Sequence, residues 1–176
     1  MKEIKMREIK NGALVGGRFI FECFDRLGNL KWKDVIDNIL TDEGLNKMLD
    51  STLHDDASAT WYVLVFEDDV TPDGDTTYAV PVFTECEAYD EGTRPEYVEA
   101  AAAAKSISNT ASKATFTFNA TKTIYGGALV DHNVKGNTAE AGKVMLGAGQ
   151  FSASKPVEST DVLKVTYTVT AADDGV

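Results

Sequence analysis

Side chains able to carry out catalysis are few in this chain of 176 residues. Of its two histidines, His54 precedes an acidic pair and His132 lies in a polar loop that contains glycine. Neither His-x-x-x-His nor Cys-x-x-Cys spacing occurs, so the sequence has no zinc-binding motif. Motifs for a nucleophilic serine, a phosphate-binding loop or a dinucleotide are also absent from it. A catalytic site assembled from residues far apart in the sequence would leave no such motif. The prediction of a non-enzymatic protein that needs no cofactor therefore depends mainly on the small number of histidines.

Carboxylates are the second group with potential chemistry. Five of them crowd the turn-rich segment 67–75: Glu67, Asp68, Asp69, Asp73 and Asp75. Oxygen-rich clusters can bind Ca²⁺, but this spacing does not match the calcium-binding loop of an EF-hand. A solvated acidic loop is therefore the favoured interpretation, with a calcium site as the alternative, and we predict no metal.

A second acidic group, between residues 85 and 91, lies close to aromatic residues and one arginine. Two interpretations compete for this segment. It forms either a docking surface for a partner or a loop held together by its own salt bridges, and the salt-bridged loop is slightly favoured. The residues that would bind a partner in the first case are Tyr89, Arg94 and Tyr97.

The net charge of −11 is unevenly distributed. Residues 1–33 hold eight basic and four acidic residues, a net charge of +4, which leaves −15 on the remainder. A surface this acidic repels phosphate backbones, so we predict no binding to nucleic acid. Residues 1–12 form a basic arm that either docks on an acidic protein surface or stays a solvated tail. The basic side chains of that arm are Lys2, Lys5, Arg7 and Lys10.

Signals for a membrane or for secretion are missing from the sequence. No stretch approaches the ~18 apolar residues of a membrane span, and the charged start is followed by the short segment 13–17 rather than by a signal-peptide core. We therefore expect the chain to be made and folded in a cytoplasm, which keeps thiols reduced. Cys23 and Cys86 are predicted to be buried, unreactive thiols, and Cys86 additionally has glutamates on both sides. One disulfide between them is the alternative.

Alternation of apolar and polar residues predicts that most of the chain is β-strand. Strands are expected over these segments: 13–24, 30–40, 60–67, 113–120, 122–130, 143–151 and 161–170. The first two form a hairpin that turns at or near Gly28–Asn29, and the strand over 60–67 is apolar on both faces. One helix should begin after Thr41, an N-cap residue, with leucines at helical spacing. The five alanines 100–104 favour a helix by propensity, with a loop or strand as the alternative.

About seven strands, one helix and no alternation of strands with helices indicate a mainly β fold. We predict an antiparallel β-sandwich, jelly-roll-like or immunoglobulin-like, with one short helix. Residues 13–176 would form this single domain. Trp32 and Trp61 could stack on sugars, but aromatic side chains at alternating strand positions are more often part of a core.

Five longer segments follow one another along the chain: GRFIFECFDRLGNLKWKDVIDNILTDEGLNKMLD (17–50), ATWYVLVFEDDVTP (59–72), AYDEGTRPEYVEA (88–100), ASKATFTFNATKTIYGGALV (111–130) and DVLKVTYTVTAAD (161–173). Together they resemble a family of small virion structural proteins of tailed bacteriophages, over nearly the whole chain after residue 12. The resemblance implies a virion protein, assembled in the host cytoplasm, that has no catalytic residues.

Within such a particle, the resemblance leaves more than one position open. The first expectation is a capsid decoration, or cement, protein that binds the major capsid protein and stabilises its lattice. The alternative is a tail, connector or baseplate adaptor, and the third is a carbohydrate-binding virion module. The partners expected are virion proteins, and a further copy of this chain is the other candidate.

Overall fold

The described part of the chain folds into a curled antiparallel β-sheet with one helix at its side. The computed structural model describes residues 12–54 and 56–173. The elements in those ranges are β1 (Ala13–Phe24), β2 (Leu30–Leu40), α1 (Asp42–Leu53), β3 (Tyr62–Phe66), β4 (Ser106–Ser108), β5 (Ala114–Thr117), β6 (Lys122–Val130), β7 (Met145–Val157) and β8 (Val162–Asp173). The predicted mainly β, antiparallel fold with one short helix is confirmed. No helix within these ranges has the length and apolar character needed to span a bilayer.

Strand β2 changes partner along its length, and this bends the sheet. The strand order is β3-β6-β7-β2-β1-β8-β4, and β5 pairs with β8 beside β4. Residues 30–38 of β2 pair with β1, whereas Ile39 and Leu40 pair with β7. The sheet therefore curls about β2 and brings β1 and β8 over β6 and β7.

The predicted hairpin between β1 and β2 is confirmed, and its turn is held by one carboxylate. Asp25 accepts hydrogen bonds from the backbone N–H groups of Leu27 and Asn29 at 2.8 and 2.9 Å. Gly28 has a φ of 84°, in the left-handed region that glycine tolerates best. The turn therefore has the backbone conformation that this glycine supplies.

The inner face of the curl forms the main core, to which β1 and β8 contribute alternate residues. Phe19, Phe21 and Cys23 of β1 are buried there, and the ring of Phe21 meets Phe151 of β7 edge-on with centroids 4.8 Å apart. Strand β3 is buried on both faces, as its sequence predicts. Its valines join the main core, and its other apolar residues join an outer cluster formed by Leu64, Phe66, Tyr78, Phe83, Ala128, Val130, Met145 and Ala148.

Both cysteines are buried free thiols, which confirms the predicted state. Burial raises the pKa of each thiol to about 12, so neither is a thiolate near neutral pH. The main cause for Cys86 is burial rather than the two flanking glutamates. Glu67, from the end of β3, is the carboxylate that adds to the effect.

Helix α1 begins where the sequence predicts, but its leucines do not pack as their spacing suggests. Thr41 caps it, with its hydroxyl oxygen accepting the N–H of Gly44 at 3.0 Å. Leu49 and Leu53 are 57% and 80% exposed, and Met48 is the side chain that packs against the main core. The helix docks on β7 through the backbone at Gly44, the residue of α1 that is buried. Close backbone contact has thus replaced burial of an apolar stripe.

Gly44→Ala should destabilise the protein, although helices ordinarily prefer alanine. A Cβ atom at Gly44 would lie 2.4 Å from the carbonyl oxygen of Leu146 and 2.6 Å from its Cα. Because these are backbone atoms of β7, we expect the free energy of unfolding in urea to fall by about 1–3 kcal/mol. Asn46→Ala, at an exposed position of the same helix, is the control and should be neutral or slightly stabilising. A Gly44→Ala variant as stable as the parent would contradict this packing.

The alanine segment 100–104 is not helical, so the loop alternative is correct there. The chain reverses between Ala103 and Ser106, with Ala104 and Lys105 at φ values of 50° and 61°. Beyond this turn, β4 and β5 pair with the same edge of β8 and leave a gap between them. The buried side chain of Asn109 fills the gap. It accepts the N–H of Tyr167 at 2.7 Å and donates to the carbonyl of Val165 at 3.1 Å.

Candidate functional site

A cavity of about 230 Å³ lies beside the outer cluster, under two irregular segments of the chain. Leu64, Val130 and Met145, one each from β3, β6 and β7, form its floor, and residues within 78–94 and 136–138 form its walls. The polar side chains that line it are Tyr78, Thr84, Glu85, Glu87, Arg94 and Thr138. It combines the largest fully buried side chain with a mixed polar and apolar lining, so it is the strongest candidate for a site.

Arg94 is fully buried and forms a two-pronged ion pair with Glu85. Its Nε and Nη2 atoms donate to the two carboxylate oxygens at 2.9 and 2.7 Å. Nη1 also donates to the carbonyl of His132 at 2.9 Å, and Nη2 donates to the carbonyl of Asn137 at 3.2 Å. Burial lowers the pKa of the guanidinium, but the contacts with Glu85 and Tyr78 together raise it, and the net pKa is raised. The ion pair and these backbone contacts join residues 85–94 to the loop after β6.

Tyr78 and His132 form the second polar contact of this region. Helix α1 positions Tyr78, because Glu43 accepts the backbone N–H of Tyr78 at 2.7 Å. The phenol donates its single proton to the carbonyl of Asn137 and lies 2.8 Å from Nδ1 of His132. With the phenol donating to Asn137, Nδ1 of His132 is the donor in the second contact.

These contacts suit a structural clamp better than a binding site. The cavity is smaller than the roughly 300–1,000 Å³ typical of pockets for small molecules. The buried carboxylate and guanidinium are paired with each other, and Glu85 also accepts the N–H of Gly136 at 2.8 Å. The charged groups of Arg94 and Glu85 therefore bind each other and the loop after β6, and they hold both segments against the outer cluster.

The residues proposed for docking at this segment are buried, so the first of the two interpretations needs correction. Tyr89, Arg94 and Tyr97 are 1%, 1% and 4% exposed. Burial raises the pKa of both tyrosines, and neither hydroxyl has a hydrogen-bond partner among the described residues. The alternative, a loop held together by its own salt bridges, agrees with the ion pair between Arg94 and Glu85. The apolar bodies of the tyrosines explain why they lie inside, and the carboxylate of Glu85 explains why Arg94 does.

The other proposed contact residues belong to the basic arm: Lys2, Lys5, Arg7 and Lys10. They lie outside the described residues, and so does most of the arm. Next to the arm, Ala13 and Leu14 at the start of β1 are exposed, and Leu14 is 57% exposed.

The acidic loop 67–75 distributes its carboxylates among separate partners. Glu67 pairs with Lys122 at 2.9 Å, and Asp69 accepts a hydrogen bond from Gln150 at 2.6 Å. Asp68 accepts the N–H of Thr84, and Asp73 accepts the hydroxyl of Thr76 at 3.0 Å. In the part of the chain that the structure describes, no three His, Cys, Asp or Glu side chains are grouped so that they could hold a metal ion.

Both tryptophans take part in packing within the domain. Trp32 on β2 donates from Nε1 to the carbonyl of Pro156 at 2.9 Å and meets Phe151 edge-on, with ring centroids 6.0 Å apart. Trp61, just before β3, is half-buried against the main core. Core packing accounts for both rings.

A ribbon formed by the start of β1 and the end of β8 extends beyond the main core. Its pairs run from Ala13↔Asp173 to Gly16↔Thr170. Leu14 of this ribbon is exposed, as are the paired alanines 171 and 172. The sequence predicts both strands but not that their ends meet here, because alternation reports burial and not strand partners. The ribbon is the point at which the basic arm joins the domain.

Comparison of the chain with protein-family models, with curated proteins and with solved structures gave no match in any of the three.

Proposed function

We propose that this protein is a non-enzymatic structural component of a tailed-bacteriophage virion, specifically a decoration protein that stabilises the major capsid lattice. The observation that carries the proposal is the placement of opposite charges. The basic arm joins the domain at the exposed end of β1, whereas the sequence after residue 33 has a net charge of −15. An arm of this kind can hold an acidic shell while the acidic body faces solvent.

The finer fold class is part of this proposal. A two-layer β-sandwich, jelly-roll-like or immunoglobulin-like, would have β1 and β8 in one layer and β3, β6 and β7 in the other. The contact of Phe21 with Phe151 across the curl supports it. So does the close approach of Phe21 to Gly127 of β6, where an added Cβ atom would lie 2.8 Å from the ring. Loops at the ends of such a module leave much surface for lattice contacts.

Stabilisation of a shell by this protein follows from linkage. A protein that binds the assembled lattice and not its free subunits shifts the equilibrium towards assembly. At a concentration 100 times the Kd, one site contributes about 2.7 kcal/mol. Because a lattice repeats the site many times, small contributions of this size add up over the particle.

Quantitative mass spectrometry of purified virions tests the proposal. We expect a copy number equal to that of the major capsid protein, or a simple fraction of it such as one half. A few copies to a few dozen per particle would instead place the protein in the tail, connector or baseplate. Absence from the virion would overturn the structural role altogether.

Neutralising the basic arm should weaken binding to expanded capsids. A variant with Lys2, Lys5, Arg7 and Lys10 changed to Gln should bind about tenfold more weakly at low ionic strength, because arm and shell lose their attraction. The difference should shrink as salt is added.

The matched control neutralises exposed bases at the opposite end of the domain. Arg26→Gln combined with Lys164→Gln removes charges near the β1–β2 turn. It should leave capsid binding unchanged in a co-sedimentation assay. Equal binding by the arm variant and the parent would remove the arm from the proposal.

A further inference from the structure

Helix α1 has an apolar stripe on its solvent side. Leu45, Leu49 and Leu53 follow one another at every fourth position, and all three are exposed. Residues four apart lie on the same side of a helix, so these side chains form one stripe about 12 Å long. Gly44 and Met48 are the residues of the helix that contact β7 and the main core. Packing within the domain therefore does not account for the leucines.

The surroundings of the leucine stripe are acidic. Asp42 and Asp50 are exposed on the same helix. The N–H of Asp42 donates to the carbonyl of Gly74 at 2.9 Å, which brings the acidic loop 67–75 to the start of the helix. Segments 42–54 and 67–75 contain three and five acidic residues and one lysine, a net charge of −7. A second copy cannot place its own α1 on this stripe without bringing like charges together.

The β1–β2 turn combines exposed leucines with basic side chains. Leu27 and Leu30 are 74% and 53% exposed. Arg26 and Lys164 are also exposed, and they line one depression together with Gly28. Among the described residues, neither base forms an ion pair with a carboxylate. The turn therefore presents an apolar surface with two uncompensated positive charges.

The turn and the helix lie at opposite ends of the domain. Strand β2 begins at the turn and runs for 11 residues before the chain enters α1, a contour length of about 35 Å. At the turn end, Lys31 pairs with Glu158 and Asp161 from the connection between β7 and β8. These two acids are thus engaged within the domain. A contact between the turn of one copy and the helix of another leaves a helix and a turn unoccupied on the resulting pair.

We propose that copies of this chain associate head to tail, with the β1–β2 turn of one copy docked on helix α1 of the next. Leu27 and Leu30 cover the leucine stripe, and Arg26 and Lys164 face the acids around it. The complementary charges are the argument for a second copy as the occupant. Because the two surfaces differ, the contact is heterologous and continues into a ring or a chain of copies. The inference does not depend on the proposed virion role.

The contact should be weak in solution. A hairpin turn against three turns of helix is a small interface, at or below the low end of the roughly 1,200–2,000 Å² that stable complexes bury. It should form at high protein concentration and weaken as salt screens the exposed charges. It joins copy to copy and not copy to shell. The control for capsid binding that changes Arg26 and Lys164 to Gln therefore applies where bound copies are far apart.

Two variants test the contact by sedimentation velocity at low ionic strength. Leu49→Arg places a positive charge on the stripe, and Leu27→Asp places a negative charge on the turn. Both positions are exposed, so each variant should melt within about 1–2 °C of the parent. We expect the parent to form dimers and larger species as its concentration rises. Each variant should raise the dissociation constant about tenfold or more, because like charges then meet.

A mixture of the two variants distinguishes a head-to-tail contact from a symmetric one. Leu27→Asp keeps an intact helix and Leu49→Arg keeps an intact turn, so the equimolar mixture should associate although each variant alone does not. In a symmetric dimer through α1, Leu27→Asp alone would still associate and mixing would not rescue Leu49→Arg. That result would overturn the proposal. A parent chain that stays monomeric at about 1 mM would overturn it as well.

Val80→Asp and Val134→Arg are the matched controls. They introduce the same charges at exposed valines in other loops and change the net charge equally. Both should associate as the parent does. Losses as large as those of the Leu27 and Leu49 variants would mean that net charge, and not this contact, governs association, and the proposal would fail.

Discussion

Arg94→Met should lower the free energy of unfolding by about 3–5 kcal/mol, because it leaves a buried carboxylate without its counter-charge. The side chain of Glu85 is only 7% exposed, so bulk water solvates its charge poorly once the guanidinium is gone. The carbonyls of His132 and Asn137 lose a donor at the same time. For a chain of this size the melting temperature should fall by roughly 6–20 °C in a circular-dichroism melt.

Two further variants separate the missing charge from the missing volume. Arg94→Met combined with Glu85→Met removes both charges and should recover part of the lost stability, since no ion remains unpaired. Arg26→Met, at an exposed position of the β1–β2 turn, should melt within about 1–2 °C of the parent. A melting temperature of Arg94→Met within about 1–2 °C of the parent would contradict the prediction. The ion pair of Arg94 and Glu85 would then contribute little, and the outer cluster alone would hold the loops.

The second large effect is expected for Asn109→Ala. This side chain takes the place of a missing strand residue between β4 and β5. Its removal leaves the N–H of Tyr167 without its acceptor and takes one donor from the carbonyl of Val165, which is also paired with Ala114 of β5. An unsatisfied buried polar group costs about 1–3 kcal/mol, so stability should fall by roughly that amount in urea denaturation.

The same substitution at a nearby exposed asparagine provides the comparison. Asn119→Ala removes a single surface hydrogen bond to Asp90 and should cost less than about 1 kcal/mol. Similar losses for the two variants would mean that Asn109 acts as an ordinary polar residue and not as part of the sheet.

Local patterns in the sequence predicted the local structure well. Alternation located β1, β2 and β8 because each has one face on the core, and the helix was located by Thr41. The helix packing was predicted wrongly, since a leucine stripe normally marks the buried face. Here Gly44 allows the backbone itself to approach β7, and Leu49 and Leu53 stay exposed.

The candidate site was only partly visible in the sequence. The cluster of charged residues at 85–94 indicated an ion pair, but two of the four acceptors around Arg94 are backbone carbonyls about 40 positions away. Every residue has a backbone carbonyl, so the amino-acid sequence does not indicate that those of His132 and Asn137 accept hydrogen bonds from Arg94. The partner change of β2 is equally hidden, because it depends on where β7 lies and not on any local signal at Asn38.

The position of β8 has a consequence for biosynthesis. This strand, last in the described chain, is the direct neighbour of β1, β4 and β5. A nascent polypeptide that has not yet exposed residues 162–173 outside the ribosome therefore leaves all three without this partner, and Phe19 and Phe21 without their cover. The hairpin of β1 and β2 emerges well before β8 and lacks this partner until residues 162–173 follow. Completion of the sheet therefore depends on slow, non-local pairing, and until then the unpaired early strands are exposed to aggregation.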